Sequence, residues 1–255
     1  AMVFALAGTF SARAAGDGTP GRINWRGEIA EGFTWLWHNR LIRTLAILLG
    51  LLNLLSNLAF VTAVLFVQDV LGLFEGWQFG LITTGFAAGA VIGSLTAEGI
   101  TARLTPGVAL LVSITGIGAS LLIIGLVPFA VVFWVCGVAE GIFVVIWNVI
   151  TVSLRQRLVP DRLLGRVNSV YRFFGWGTIA IGTVLGGALV SLGETMMGRD
   201  WALRGVFLLA GLGHLAVLGY AWRRTSTKQI RTAEDAAERA AAAEAAAGPA
   251  ATTDA

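Results

Sequence analysis

Glu140 is the residue with the most pointed chemistry in this sequence, because it is an acid placed where water is scarce. It lies about twelve residues into an apolar run, Phe129 to Leu154, and no other acidic side chain sits as deep in such a run. A carboxyl there is costly unless it is used or paired. Two roles fit it: binding a substrate or a proton, or a structural hydrogen bond to a neighbouring helix. Asn148, two helical turns on, projects to a similar side, and Phe143 and Trp147 flank it. In another apolar run Asn53 and Asn57 stand four residues apart and so share a helix face, with Ser56 beside it. Glu140, Asn53, Asn57, Asn148, Trp147 and Phe143 together have the chemistry of a cavity wall that is part polar and part aromatic. For any one asparagine an interhelix hydrogen bond is the simpler reading. His214 is a lone histidine in a further apolar run. There an interhelix hydrogen bond competes with a proton relay.

The elements that hold these residues follow from composition. The chain has 255 residues, 56% hydrophobic and only 13% charged. Soluble domains carry roughly 25% charged residues. Mean hydropathy is +0.78. The fold class is therefore all-α, a polytopic membrane protein. The basic residues sit in short segments beside apolar runs, so the pI of about 9.7 reports topology and not a nucleic-acid partner. One cysteine, Cys136, leaves no intrachain disulfide and no metal site. One lysine, Lys228, follows no glycine-rich turn, so there is no Walker-type phosphate loop. An intramembrane serine protease needs a Gly-x-Ser-Gly-type motif, and an aspartyl protease needs aspartates within spans. Neither is present, so the chain reads as a non-enzyme without metal or cofactor.

In chain order, residues 1–10 are apolar but too short to cross a bilayer, which takes about 20 residues. They read as the end of a preceding transmembrane helix. Residues 11–40 form a connector whose second part, 28–39, has Ile29, Phe33, Leu36 and Trp37 on one helix face, as an interfacial amphipathic helix does. A six-helix transmembrane domain occupies 41–222, with spans near 41–67, 79–100, 107–127, 129–154, 167–192 and 203–222. Residues 223–255 form an alanine-rich tail. Alanine and glutamate favour helix, yet no apolar stripe is evident to dock it, so a frayed helix running into disorder is expected. All lysines and arginines except Arg199 and Arg204 fall at one side of this topology. Cytoplasmic segments are the basic ones. The rule places both ends of the segment on the cytoplasmic side of the membrane.

Small residues recur at helical spacing: Gly85, Gly89 and Gly93 in the second span, Gly182 and Gly186 in the fifth, with Gly175 two turns earlier. Such spacing lets helix backbones approach closely. Between the fourth and fifth spans lies SLRQRLVPDRLLGRVNSVYR, Ser153 to Arg172, which holds five arginines and anchors the orientation as a basic loop.

That stretch, continued through FFGWGTIAIGTVLGGALV, resembles the second half of a Major Facilitator Superfamily transporter, in the enterobactin-exporter-like and macrolide-efflux-like bacterial branch. The run Val159-Pro160-Asp161-Arg162, followed by Gly165-Arg166-Val167, carries the likeness. So does EIAEGFTWLWHNRLIRTLAILLGLLNLLSNLAF, which matches the helix leading into the seventh of twelve spans. The resemblance covers about residues 24–224. The superfamily's motif A has a counterpart in GSLTAEGITARL: Gly93 and Arg103 match in kind, while Ala97 and Glu98 replace the usual aspartate and its neighbour.

The resemblance implies a six-helix half of a twelve-helix fold, each half built from inverted three-helix repeats, with substrate held between the halves. The implied partners are the N-terminal six-helix half, the lipid bilayer, a small-molecule substrate and protons. It implies export of siderophores or drugs, and a cytoplasmic latch in which Arg162 and Arg166 pair with Glu98 or Asp161, with Arg103 close by. The alternative is a membrane subunit or scaffold without transport of its own, driven by a separate ATPase.

Overall fold

The computed structural model describes residues 25–247, which form eight helices. They are α1 (Trp25–His38), α2 (Arg40–Leu65), α3 (Gly76–Arg103), α4 (Pro106–Leu126), α5 (Ala130–Leu158), α6 (Asp161–Met197), α7 (Arg199–Arg224) and α8 (Thr227–Ala247). Six of them, α2 to α7, are long and apolar enough to cross a membrane. The expected helix end at 1–10 and the first part of the connector lie outside the described residues.

Helix boundaries have local causes. The Asn39 side chain accepts a hydrogen bond from the Ile42 backbone N–H at 3.1 Å and so caps α2. Glu75 and Gln78 form a reciprocal capping box at the start of α3. Pro106 opens α4, where a missing N–H costs nothing. Gly198, at φ +80, turns the chain from α6 into α7, a backbone state that side-chained residues rarely adopt. After α2 a single π-helical turn, Phe66–Val70, carries Asp69 to Arg199, whose Nε donates to it at 2.7 Å.

The helices exceed the sequence-derived spans at most ends, and this corrects the reading of the arginine stretch as a loop. α5 runs through Arg155 and Arg157 to Leu158, and α6 begins at Asp161. Only Val159 and Pro160 are non-helical. Proline ends the incoming helix, and Asp161 suits the positive end of the outgoing one. The arginines therefore sit on two rigid helix ends.

Packing is paired. α3 packs along α5 and α2 along α6; α4 packs on α5 and α7 on α2; α4 and α7 pack on each other. Exchanging α2 with α5, α3 with α6 and α4 with α7 turns each of these pairings into another, or leaves it unchanged; the packing of α6 on α7 departs from it, since α3 barely touches α4. Successive spans alternate in direction, so α2–α4 and α5–α7 are inverted three-helix repeats.

The glycines explain how the long pairs pack so closely. A Cβ on Gly85 or Gly89 would strike the backbone of Trp134 or Val138 in α5 closer than 3.0 Å. In the symmetry-related pair, a Cβ on Gly182 or Gly186 would strike the Leu54 or Leu58 backbone of α2 equally closely. Where α4 crosses α7, a Cβ on Gly118 would lie 3.3 Å from the Gly211 carbonyl, and one on Gly211 would lie 2.8 Å from the Gly118 carbonyl. Backbone-to-backbone contact of this kind drives helix association where no hydrophobic effect separates helix from lipid.

The tail departs from expectation. α8 is an ordered helix over Thr227–Ala247, seated on the bundle by a fully buried Ile230 and by Ala233 and Ala237. Residues 230, 233, 234 and 237 form a stripe, and Arg157 pairs with Glu234 at 3.2 Å. The stripe escapes notice in the sequence because it is mostly alanine. Residues 248–255 lie outside the described set.

Candidate functional site

The bundle core is split in two along the membrane normal. One layer, at the arginine-rich end, gathers Leu41–Leu52 of α2, Leu110 and Ile114 of α4, Ile146–Leu158 of α5 and Leu163–Tyr171 of α6. The other gathers Leu58–Ala63 of α2 and Phe66 of the π-helical turn, Ile117–Ile124 of α4, Cys136 of α5 and Leu203–Ala210 of α7. Its centre is aromatic: the Phe66 and Phe207 rings lie 4.6 Å apart. Between the layers, α2 contributes Asn53, Ser56 and Asn57, α5 contributes Glu140, and α7 contributes His214. These five polar residues therefore share one depth, the middle of the bundle, while Asn148 lies level with the arginine-end layer. Leu55 and Phe143 pack against both layers and join them.

Within this belt most polar groups are satisfied. Asn53 donates from Nδ2 to the Gly175 carbonyl of α6 at 3.1 Å. A Cβ on Gly175 would press against Leu49 and Asn53, so the glycine admits the asparagine head. Asn57 donates to the Asn53 carbonyl at 2.8 Å within its own helix. His214, fully buried, joins α7 to α2: Nε2 meets Ser56 Oγ at 3.4 Å, and Nδ1 meets the Ala210 carbonyl at 2.8 Å. The interhelix role is thus the one its geometry supplies.

Glu140 is different. It is half-buried, and among the described residues it has no hydrogen bond and no ion pair. It stands one turn from the buried Cys136, on a helix held against α3 through Gly137 and Gly141. An unpartnered carboxyl at mid-depth is a free acceptor, able to take a proton or a polar group of a passing solute.

The six candidate residues do not form one cavity wall. Trp147 is a core side chain, 5% exposed, packed in the arginine-end layer. Asn148 is exposed and bonds the Val144 carbonyl of its own helix at 2.8 Å. Eight residues at 3.6 per turn leave it well around the helix from Glu140. Phe143 lies over Gly116 and lines an apolar groove of 720 Å³ with Leu111, Thr115 and Trp222, a groove that none of the other five lines.

The basic end also pairs otherwise than expected. Arg162 and Arg166 reach Glu31 and Glu28 of α1, not Glu98 or Asp161. Arg162 meets Glu31 at 3.1 Å, Arg166 meets Glu28 at 3.4 Å, and Arg166 also bonds Glu31. The reason is layout. α1 lies on the start of α6, with Gly32 against the Arg166 backbone, whereas α3 packs on α5. Glu98, Arg103 and Asp161 are exposed and in no ion pair among the described residues. Glu28 and Glu31 stand three apart and so share a face of α1, a signal visible in the sequence, but the spacing does not say which helix that face meets. Deeper in, the Arg155 guanidinium stacks over Tyr171 at 3.9 Å, and the Tyr171 hydroxyl donates to the Leu45 carbonyl at 3.4 Å. This ties α5, α6 and α2 together.

At the other end both arginines are in use. Arg204 donates to the Gly125 and Leu126 carbonyls at 2.9 Å, capping α4. Arg199 holds Asp69 and Glu194.

No family model matches the chain, and no solved structure matches it. Curated relatives do. The chain is 27% identical over 193 residues to the enterobactin exporter EntS of Citrobacter koseri, covering 74% of this chain and 46% of that protein. It is 27% identical over 213 residues to EntS of Escherichia coli SMS-3-5, covering 82% and 49%. With EntS of Escherichia coli O1:K1 it shares 28% over 167 residues, 64% and 38%. The chain thus spans about half the length, or less, of the curated relatives it matches. It carries six helices long and apolar enough to cross a membrane and is similar, over 64% to 82% of its length, to these enterobactin exporters.

Proposed function

We propose that this chain forms one half of a secondary active exporter in the bacterial cytoplasmic membrane, moving small, partly apolar molecules such as siderophores or drugs and drawing on a proton gradient. Its partner is an N-terminal six-helix half, and the solute path runs between the halves. The observation that carries the reading is Glu140: a half-buried carboxyl with no hydrogen bond or ion pair, at mid-depth, in a bundle whose other mid-depth polar groups are nearly all bonded. In this account Glu140 accepts a proton or a polar group of the solute, and Asn53 ties α2 to α6 at the same depth.

The arginine-rich end faces the cytoplasm, by the bias of basic residues toward that side. There the pairs of Arg162 and Arg166 with Glu28 and Glu31 act as the latch between α1 and α6, with Asp161, Glu98 and Arg103 available for pairing in another state. The glycine-lined α3·α5 and α2·α6 contacts let each pair move as one body when the two halves rock.

The test is export by cells. A strain disrupted in the gene should retain a secreted siderophore or accumulate a drug, and restoring the gene should reverse this while Glu140→Gln should not. Equal restoration by Glu140→Gln would make the residue structural.

A further inference from the structure

A second groove lies at the arginine-rich end, between α1, the α5–α6 junction and α8. It has a volume of 1210 Å³. Four membrane helices end at it: α2 begins at Arg40, α5 stops at Leu158, α6 begins at Asp161 and α7 stops at Arg224. The groove therefore lies at the level where the hydrocarbon gives way to headgroups.

Its charge is one-sided. Five cations line it, Arg40, Arg157, Arg162, Arg224 and Lys228, against one carboxylate, Asp161. Arg157 and Arg162 are neutralised by Glu234 and Glu31. Arg40, Arg224 and Lys228 are in no ion pair among the described residues, and Arg224 only rests near the Tyr220 ring at 5.8 Å. Three uncompensated cations in one concave site call for an anion. The rest of the wall mixes polar groups, among them Asn39, Gln156 and Gln229, with two apolar stretches: Leu41, Leu158 and Val159 on the bundle side, and the alanine face of α8 opposite. A free inorganic anion has no use for the apolar stretches. An amphiphile whose phosphate meets the cations and whose glycerol and upper chain lie on alanine uses both.

We propose that this groove binds the phosphate headgroup of an anionic phospholipid, and that α8 docks as its outer wall. Basic pockets between membrane helices at the cytoplasmic surface suit such headgroups. The bound lipid then links α8 and α1, which otherwise meet the bundle separately, and its presence sets how firmly α8 is held.

The test uses the full chain purified in neutral detergent and titrated with short-chain phosphatidylglycerol, phosphatidylcholine or inorganic phosphate, with binding read from tryptophan fluorescence and native mass spectrometry. Phosphatidylglycerol should bind, and phosphatidylcholine should bind at least about 10-fold more weakly. Replacing Arg40, Arg224 and Lys228 together by Gln should weaken phosphatidylglycerol binding by at least about 10-fold. A charge-matched variant, Arg223→Gln, Arg231→Gln and Arg239→Gln, removes three cations from the same end outside the groove and should change affinity by less than about 2-fold. Equal losses in the two variants would reduce the effect to diffuse surface potential and overturn the site. Equal affinity for phosphatidylcholine, or inorganic phosphate binding as tightly as the lipid, would overturn the lipid assignment. The single variant Arg40→Gln, with helicity checked by circular dichroism, keeps the test decisive if the triple variant does not fold: unchanged affinity refutes the proposal, and a loss supports it.

Discussion

Gly89→Ala tests the packing that positions Glu140, and its sign can be worked out. Alanine is favoured over glycine within a helix by about 1 kcal/mol. On an open helix face that gain is all there is. At Gly80, in the same helix α3, an added Cβ meets nothing within 4 Å, so Gly80→Ala should be neutral or stabilising. At Gly89 the added Cβ would fall on the Val138 carbonyl, its carbon and its Cα. These are backbone atoms of α5 that no rotamer change can move, so α3 and α5 must separate. Overpacking of this kind costs about 1–3 kcal/mol, which outweighs the propensity gain. The expected net loss is up to about 2 kcal/mol, and for a chain of this size about 2–4 °C in Tm per kcal/mol. Thermal unfolding in detergent, followed by circular dichroism, should place Gly89→Ala several degrees below wild type and Gly80→Ala at or above it. If the two variants melt together, the backbone contact does not carry the packing, and the glycine argument fails for the α2·α6 pair as well.

Three further outcomes follow from the same geometry. Gly182→Ala should resemble Gly89→Ala in a parallel melt, because its Cβ would strike the Leu54 carbonyl of α2; a rise in Tm would count against the inverted-repeat equivalence. His214→Ala removes the contact to Ser56 and opens space at the α4·α7 crossing, for a loss of about 1–3 kcal/mol in the same assay; an unchanged Tm would mean the bond is not formed. Charge reversal at the α1–α6 contact, Arg162→Glu with Arg166→Glu, should release α1 and raise protease cleavage near residue 30, and the compensating Glu28→Arg with Glu31→Arg should restore protection. Each exposed pair there is worth only about 0.2–1 kcal/mol, so cleavage rate is a better readout than melting temperature.

Much of the fold is legible in the sequence because the bilayer imposes it. Twenty-odd apolar residues between basic or glycine-bearing breaks can only be a span, and all six are present. Glycines four apart point to close helix contact, and Gly85 and Gly89 make it. What escapes is which helix meets which. Glu98 and Arg162 both lie at the basic end, but α3 packs on α5 while α1 covers α6, so Arg162 finds Glu31 instead. Nothing in the spacing of either element encodes that neighbour. The site divides the same way. Depth can be counted along a span, so Asn53, Ser56, Glu140 and His214 fall in one layer. Rotation about the helix axis is harder: Trp147 turns into the core and Asn148 outward, because eight residues do not complete whole turns. The docking of α8 is missed because alanine is a weak apolar signal, although Ile230 and Ala233 carry it.

The proposed proton-coupled path past Glu140 is tested most directly by a flux measurement in proteoliposomes. The protein is reconstituted together with the proposed N-terminal half, a siderophore or drug is supplied on the side of the arginine-rich end, and a pH gradient is imposed with a pH-sensitive dye trapped inside. The account predicts that adding solute speeds collapse of the gradient, that solute crosses against its own gradient until an uncoupler is added, and that Glu140→Gln abolishes both. Solute movement that ignores the pH gradient, or is equal in the Glu140→Gln protein, would contradict it.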